Sequence, residues 1–255
     1  MALGIIHSYS GMNTIRNLSL IQRSLSKTMQ KLSSGERINE AADGPAELVI
    51  SEQMRAQIGS ITQQIKNLEF NLNKNNAADV TLQELRGKLG EMRTTAIAAA
   101  DAGSATPETG KAYQALIDDL VSTYNQQVQN ASFGNQKLFD KSKSAAYTLA
   151  DIPPLNVSTP EDAADTIQRI DALATQLNDA QVKVGSKSKN EYESTIRSLE
   201  VTSQNLSAAE SAIRDTDYAV EQANYLKQMV QLNVGLAAMA QGNLVADSVF
   251  KLLHA

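Results

Sequence analysis

The stretch Tyr225-Leu-Lys-Gln-Met-Val-Gln-Leu-Asn-Val-Gly-Leu-Ala-Ala-Met239 lies in a proline-free region that runs from Leu206 to Ala255. Its apolar residues recur at steps of four and three, which is the spacing of a coiled-coil seam on an α-helix. The residues of this stripe are Tyr225, Met229, Leu232, Leu236 and Met239, with Val249 and Leu252 continuing it. A single helix cannot bury such a seam, so the pattern predicts a partner, either inside a monomeric bundle or on another molecule.

A second stripe of the same kind lies near the other end of the chain. Its residues are Ile15, Leu18, Ile21 and Leu25, followed by Met29 and Leu32. Ser33-Ser34-Gly35 then supplies a helix end, with Gly35 in the left-handed cap position. We expect the two striped end segments to lie side by side and to form a seam.

The middle of the chain predicts long helices with recognisable starts. Pro45 suits a first helical residue, and the apolar pattern after it continues to about Asp101. Thr106-Pro107 and Thr159-Pro160 each combine a capping residue with a helix-starting proline. The first of these helices is expected to end near Gln129, and the second to run to Leu206 with a possible interruption near Gly185.

Residues 130–159 have a different, non-helical composition. Phe133-Gly134-Asn135 predicts a turn, Leu138-Phe139 and Tyr147-Thr148-Leu149 predict short extended pieces, and Pro153-Pro154 predicts a stop. Long helices before and after such a tip must run antiparallel. The predicted fold class is therefore all-α, an elongated antiparallel rod or coiled coil of long helices with a small β-like tip.

Composition and charge argue against several classes of function. The chain has no cysteine, which excludes disulfides and thiolate metal sites, and its net charge of −5 argues against nucleic-acid binding. The uncharged run between Lys227 and Asp247 carries too many amide side chains for a membrane span. The N-terminus lacks the basic and apolar regions of a cleaved secretory signal.

Catalytic and metal-binding motifs are also missing from the sequence. His7 and His254 have no further ligand at metal-binding spacing, and the chain has no phosphate-binding loop or nucleophile elbow. The acidic pairs Asp118-Asp119 and Asp215 with Asp217 are interpreted as solvated helix faces. We therefore expect a protein that is not an enzyme and that needs no cofactor or metal.

Three stretches together resemble bacterial flagellin. They are Leu32-Ser-Ser-Gly-Glu-Arg-Ile-Asn39 continuing through Ala41-Ala-Asp-Gly-Pro-Ala46 to Ile58, then Asn205 to Asp215 with Asp217, then Ala240-Gln-Gly-Asn243 with Ser248 to Leu253. The chain departs from the family pattern at Gly44 and Glu47 beside the proline, and at Ala246, where the family often has a proline. The tip is also short, so the resemblance is to a minimal flagellin with inner and rod domains only.

The resemblance implies a domain plan and a function. Residues 1–43 and 208–255 would form the inner domain, and residues 44–207 the rod domain with its tip at about 130–159. The chain would be a secreted structural subunit that self-assembles into the extracellular flagellar filament, alone or with other flagellins. The two apolar stripes of the end segments would then be its self-assembly seam, with Ile15, Leu18, Ile21 and Leu25 on one helix and Tyr225, Met229, Leu232, Leu236 and Met239 on the other. Expected partners are an export chaperone, the flagellar secretion machinery, and the hook-associated and cap proteins, with no nucleic acid and no membrane.

Two other readings of the sequence stay open. A hook–filament junction protein would share the terminal helices, although the match from Leu32 to Ile58 favours flagellin. A soluble helical-bundle adaptor would need only the amphipathic pattern.

Overall fold

A computed structural model describes residues 9–101, 106–139, 147–149 and 151–254, with side chains described between residues 12 and 241. The described part is almost entirely helical, and the predicted all-α class is confirmed. The helices are α1 (Tyr9–Ser34), α2 (Pro45–Ala100), α3 (Pro107–Asn130), α4 (Pro160–Ser186), α5 (Ser194–Arg214) and α6 (Tyr218–His254), with a π-helical segment at Lys187–Glu193. The strands β1 (Ser132–Phe133) and β2 (Gln136–Lys137) form one antiparallel hairpin.

The described residues divide into two compact units. The terminal unit contains the residues up to Ser60 and those from Ser203 onward, and the central unit contains Ile61–Thr202. The family-based boundaries at residues 43/44 and 207/208 stay a prediction, because they concern inner and rod domains of an assembled filament.

The predicted helix starts and the first helix end are confirmed. Thr106 and Thr159 are N-caps, and their side-chain oxygens accept hydrogen bonds from the backbone N–H groups of Thr109 and Asp162, both at 3.2 Å. Gly35 ends α1 with a φ of 73°, a conformation that a residue without a Cβ adopts at no steric cost.

The central unit has one continuous hydrophobic core. Three helices contribute a buried stripe each, at the three- and four-residue spacing of an apolar helix face. The fully buried side chains include Leu82, Leu85, Leu89 and Met92 of α2, Ile117 and Tyr124 of α3, and Ile170 and Val184 of α4.

The described residues of the segment 130–159 contribute to this core. The predicted turn is confirmed, with Gly134 at a φ of 60° between β1 and β2. The segment also buries six apolar side chains against the helices: Leu138, Phe139, Leu149, Ile152, Leu155 and Val157. Hydrophobic burial of this extent is the signature of core rather than of a tolerant surface loop.

Two amide side chains of α3 hold the backbone of this extended segment. Asn125 donates to the carbonyl of Ile152 at 3.0 Å and accepts from its N–H at 2.8 Å. Gln114 likewise donates to the carbonyl of Leu155 at 2.8 Å and accepts from the N–H of Val157 at 2.8 Å. Each amide thus replaces the hydrogen bonds that a neighbouring strand would provide, so the buried backbone stays satisfied.

The last third of the chain agrees with the prediction in one place and differs from it in another. The α-helix was expected to be interrupted near Gly185, and α4 gives way at Lys187 to the π-helical segment, which leads directly into α5. A break also occurs at residues 215–217, so Leu206 belongs to α5 and the terminal helix begins only at Tyr218. No proline or glycine marks this break, which arises from backbone pairing with the segment that follows α1.

Gly110 and Gly87 provide a matched test of packing in the central unit. A Cβ on Gly110 would lie 2.8 Å from the backbone oxygen of Ser158, whereas a Cβ on Gly87 would meet nothing within 4 Å. We expect Gly87→Ala to stabilise the unit by up to about 1 kcal/mol through helix propensity. Gly110→Ala should instead destabilise it, because overpacking against backbone costs about 1–3 kcal/mol. Urea unfolding followed by circular dichroism measures both, and equal midpoints for the two variants would contradict the close contact.

Candidate assembly surface

Helices α1 and α6 of the terminal unit form an antiparallel pair. Gln228 of α6 donates to the hydroxyl of Ser24 of α1 at 2.9 Å. Gly235, further along α6, faces Leu18, nearer the start of α1, and a Cβ on this glycine would lie only 2.7 Å from the Leu18 Cδ2 atom. The missing side chain of Gly235 therefore allows the two helices to approach closely.

The predicted seam lies mainly inside this pair. Leu18 is buried, and Ile21, Leu25, Tyr225, Met229, Leu232 and Met239 are half-buried. Ile15 and Leu236 remain 58% and 47% exposed. Val249 and Leu252 lie outside the residues with described side chains. The role of these residues in contacts with other copies stays a prediction.

A second apolar stripe runs along α6 and was not predicted from the sequence. Leu226, Val230 and Val234 are 56%, 61% and 61% exposed. Val230 and Val234, with Leu20 and Ile21 of α1, line a groove of about 510 Å³ between the helices. The four-residue spacing of Leu226, Val230 and Val234 could have indicated this second apolar stripe. It was overlooked because the predicted seam already explained why the segment forms an amphipathic helix.

The two chain segments that leave this helix pair are joined by their backbones, and we call them the joint (residues 35–44 and 215–217). The N–H of Arg37 donates to the carbonyl of Arg214 at 2.6 Å, and the N–H of Thr216 donates to the carbonyl of Gly35 at 2.9 Å. Glu36 and Asp215 form an antiparallel bridge between them. This pairing ends α5 at Arg214, although the local sequence would allow the helix to continue.

Charged side chains reinforce the joint. Glu36 lies 2.9 Å from the guanidinium of Arg55 and 3.1 Å from that of Arg214. Arg55 also pairs with Glu210 at 2.7 Å, and Arg214 pairs with Glu52. The side chains of Arg214 and Glu36 are 11% and 25% exposed, whereas those of Arg55 and Glu52 are 43% and 56% exposed, so water screens the outer pairs more than the pair of Arg214 and Glu36.

The pKa directions agree with that geometry. Desolvation would raise the pKa of Glu36, but the hydrogen bonds from Arg55 and Arg214 outweigh it and hold the pKa below its ordinary value. The hydrogen bond from Lys27 likewise lowers the pKa of Asp43. Both carboxylates therefore stay ionised to lower pH in the folded chain.

The sequence suggested that Asp215 and Asp217 lie on solvated helix faces, but the structure places both residues between α5 and α6. The carboxylate of Asp217 accepts hydrogen bonds from the N–H groups of Ala219 and Val220, at 2.9 and 3.1 Å, and so caps the start of α6. Asp215 accepts a hydrogen bond from the Ser211 hydroxyl and takes part in the backbone bridge of the joint.

The described residues contain no cluster of three or more side chains that could hold a metal ion. His7 and the side chain of His254 lie outside the described part of the chain. Among the helices that the structure describes, none combines the length and apolarity needed to cross a membrane.

The chain is similar to known proteins over nearly its whole length. The family model described as the bacterial flagellin N-terminal helical region matches residues 5–144, and the model of the C-terminal helical region matches residues 167–253. A flagellar filament 30.7 kDa core protein of Treponema maltophilum is 28% identical, with 98% of this chain and 99% of that protein covered. A flagellin of Halalkalibacterium halodurans is 30% identical and one of Bacillus subtilis 27%, each over the same shares.

The joint should weaken in acid through Glu36. Its lowered pKa means that the carboxylate contributes stability above its unfolded pKa of about 4.3, and that this contribution is lost as the pH falls through the folded value. We expect Glu36→Gln to lower the midpoint of thermal unfolding at pH 7, and this difference from the unchanged chain to disappear in strong acid.

The control is Glu40→Gln, because Glu40 is exposed and has no cation within 4 Å among the described residues. Circular dichroism melts of the three proteins at several pH values give the comparison. A difference between Glu36→Gln and the unchanged chain that persists at all pH values would show that Glu36 acts by shape rather than by charge.

Proposed function

The chain belongs to the bacterial flagellin family and is a structural subunit of the flagellar filament, and on that premise we propose that the α1–α6 pair is the surface through which its copies assemble. The family is structural, so the chain is not an enzyme, and its place is the extracellular filament of the bacterial flagellum. The near-complete coverage by flagellins favours this function over a junction protein or an adaptor.

The observation that carries the proposal is the exposed apolar surface of the pair. Eighteen large hydrophobic side chains are exposed in the described part of the chain, and ten of them belong to α1 and α6. They are Met12, Ile15, Leu20 and Met29 of α1, and Tyr218, Val220, Leu226, Val230, Val234 and Leu236 of α6. An apolar surface concentrated in this way marks an interaction site in a protein that is otherwise well packed.

The energy of covering this surface is large enough for assembly. Fully burying one aliphatic side chain contributes about 1.5–3 kcal/mol. Since the exposed residues lie on several sides of α6, one neighbouring helix cannot cover them all. Contacts with more than one copy, each using a different patch of the same helix pair, produce an open helical polymer rather than a closed dimer.

The same surface suggests how the other expected partners act. Before assembly, the apolar groove lined by Leu20, Val230 and Val234 is exposed to water. An export chaperone that inserts a helix into the groove would shield it. At each end of a filament, the last copies keep one uncovered surface. Hook-associated and cap proteins would bind there by presenting a matching apolar surface. Export as an unfolded chain through the secretion machinery agrees with a terminal unit whose burial is completed only by neighbours.

Sedimentation and electron microscopy of the purified protein test the proposed function directly. After seeding with sheared filaments of the same protein, we expect the protein to pellet and to form filaments above a critical concentration. A helical-bundle adaptor would stay in the supernatant at every concentration, and that result would overturn the function.

A double substitution on the second stripe tests the role of α6. We expect Val230→Gln with Val234→Gln to raise the critical concentration by about 100-fold or more, because each buried aliphatic contributes at least about 1.5 kcal/mol. The matched control is Val182→Gln with Val201→Gln, which changes two valines of α4 and α5 that are 69% and 57% exposed. Circular dichroism confirms that each variant keeps its helicity, and equal critical concentrations for both pairs would refute the assignment.

A further inference from the structure

Helix α1 carries a stripe of positive charge. Its four ionisable side chains other than tyrosine are Arg16, Arg23, Lys27 and Lys31, and it has no acidic residue. The chain as a whole carries −5, so the residues outside this helix carry −9. One of the two helices that form the proposed assembly surface is therefore net positive in a chain that is otherwise net negative.

The four basic residues share one face of α1. At 100° per residue their positions fall within an arc of about 80°, roughly opposite to the buried side chain of Leu18. From Arg16 to Lys31 the stripe extends about 22 Å along the helix. We call these four residues the basic stripe.

Little of the basic stripe is neutralised within the chain. Lys27 pairs with Asp43 of the joint at 2.8 Å. Arg23 donates only to the Ser19 hydroxyl, at 3.3 Å, and Arg16 and Lys31 have no acidic partner within 4 Å in the part of the chain that is described. Arg16 is 19 residues before Gly35, about 28 Å along the helix, and cannot reach the joint of its own chain.

The joint and the helix turns beside it carry the opposite charge. Residues 36–52 and 210–221 contain nine acidic residues and two basic ones, and three further basic residues lie next to these ranges: Lys27, Lys31 and Arg55. Several of the acidic side chains pair with Arg37, Arg55 and Arg214, but Glu40, Asp215 and Asp217 are exposed and have no cation within 4 Å among the described residues. Lys27 and Lys31 lie beside the joint of their own chain, whereas Arg16 and Arg23 lie about 28 and 18 Å from it along α1. Among the described residues, the terminal unit thus has unpaired basic side chains at Arg16 and Arg23 and exposed carboxylates without a cation at Glu40 and Asp215.

We propose that the basic stripe of one copy docks on the acidic joint of another copy of the chain, which rests on the proposed function as a filament subunit. Copies that each carry a net negative charge repel one another at long range. A contact between opposite charges offsets this repulsion and fixes the register of neighbouring copies, which apolar contacts alone define poorly. Arg16 and Arg23 lie away from the joint of their own chain, so the contact is heterologous, and it extends along a polymer when the rotation between copies does not close a ring.

Charge reversal of the stripe is the first test. We expect Arg16→Glu with Arg23→Glu to raise the critical concentration for seeded assembly about tenfold or more at low salt. The effect should shrink between about 0.05 and 0.5 M NaCl, because the Debye length falls below the distance over which exposed charges interact. The matched control is Arg86→Glu with Arg169→Glu, which makes the same change in net charge on exposed helix positions of the central unit.

The second test reverses both faces. Adding Glu40→Lys and Asp215→Lys to the stripe variant restores the net charge of −5. The stripe of one copy is then acidic and the joint of the neighbouring copy basic, so the two faces again carry opposite charges. We expect this fourfold variant to assemble close to the normal critical concentration, and the joint substitutions alone to impair assembly. Circular dichroism shows whether each variant remains folded.

The outcomes separate the inference from the proposed function. Normal assembly of the stripe variant overturns the docking contact and leaves the filament function intact, and it is also the result expected if the stripe serves another partner. An equal loss in the stripe variant and its control shows general charge repulsion, and a failed rescue excludes the joint as the acceptor. If the unchanged protein forms no filaments after seeding, the proposed function fails and the docking contact fails with it.

Discussion

The backbone pairing between residues 35–37 and 214–216 is the constraint on which the terminal unit depends. It brings together two segments about 180 residues apart and ends α1 and α5 at the same point. Because the bridge is antiparallel, the helices that leave it must return along each other as α1 and α6. Glu36, Arg55 and Arg214 then reinforce the junction with charge-assisted contacts at 2.9 and 3.1 Å.

The sequence predicted the local features of the fold well, because their causes are local. In Thr106-Pro107 and Thr159-Pro160, the threonine provides the capping oxygen and the proline occupies a first-turn position where no backbone N–H is required. Gly35 adopts the left-handed conformation that ends α1 because it has no Cβ. The break at residues 215–217 could not be found in this way. It results from hydrogen bonds to Gly35 and Arg37, which lie far away in the sequence, and the local signal, the capping residue Asp217, was interpreted as part of a solvated helix face. The hydrogen bonds from the side-chain amides of Gln114 and Asn125 to the extended segment could not be predicted for the same reason, because their partners are distant in the sequence.

The candidate site was predicted only in part, because a sequence pattern shows one face of a helix at a time. A heptad pattern locates the face of α6 that meets α1, but it cannot say how much of that face the partner covers. Leu236 lies on the predicted seam and is still 47% exposed, while Val230 lies off it and takes part in the groove. A helix that is apolar on several sides is buried only when several neighbouring helices contact it. A single heptad pattern identifies the face toward one of those neighbours and not the others. The charged residues of the joint lie in stretches that resemble the flagellin family, but the sequence pattern indicated no physical role for them.

The two units differ in how completely they satisfy their own side chains. The central unit buries Leu82, Phe139 and Ile170 in one core and pairs the backbone of its extended segment, so folding alone meets its main requirements. The terminal unit leaves Val230 and Val234 in water and Arg16 without a counter-charge among the described residues. Both deficits are reduced by the same event, contact with another copy. A filament subunit needs this division: a unit that is stable before assembly, and one whose missing contacts make assembly favourable.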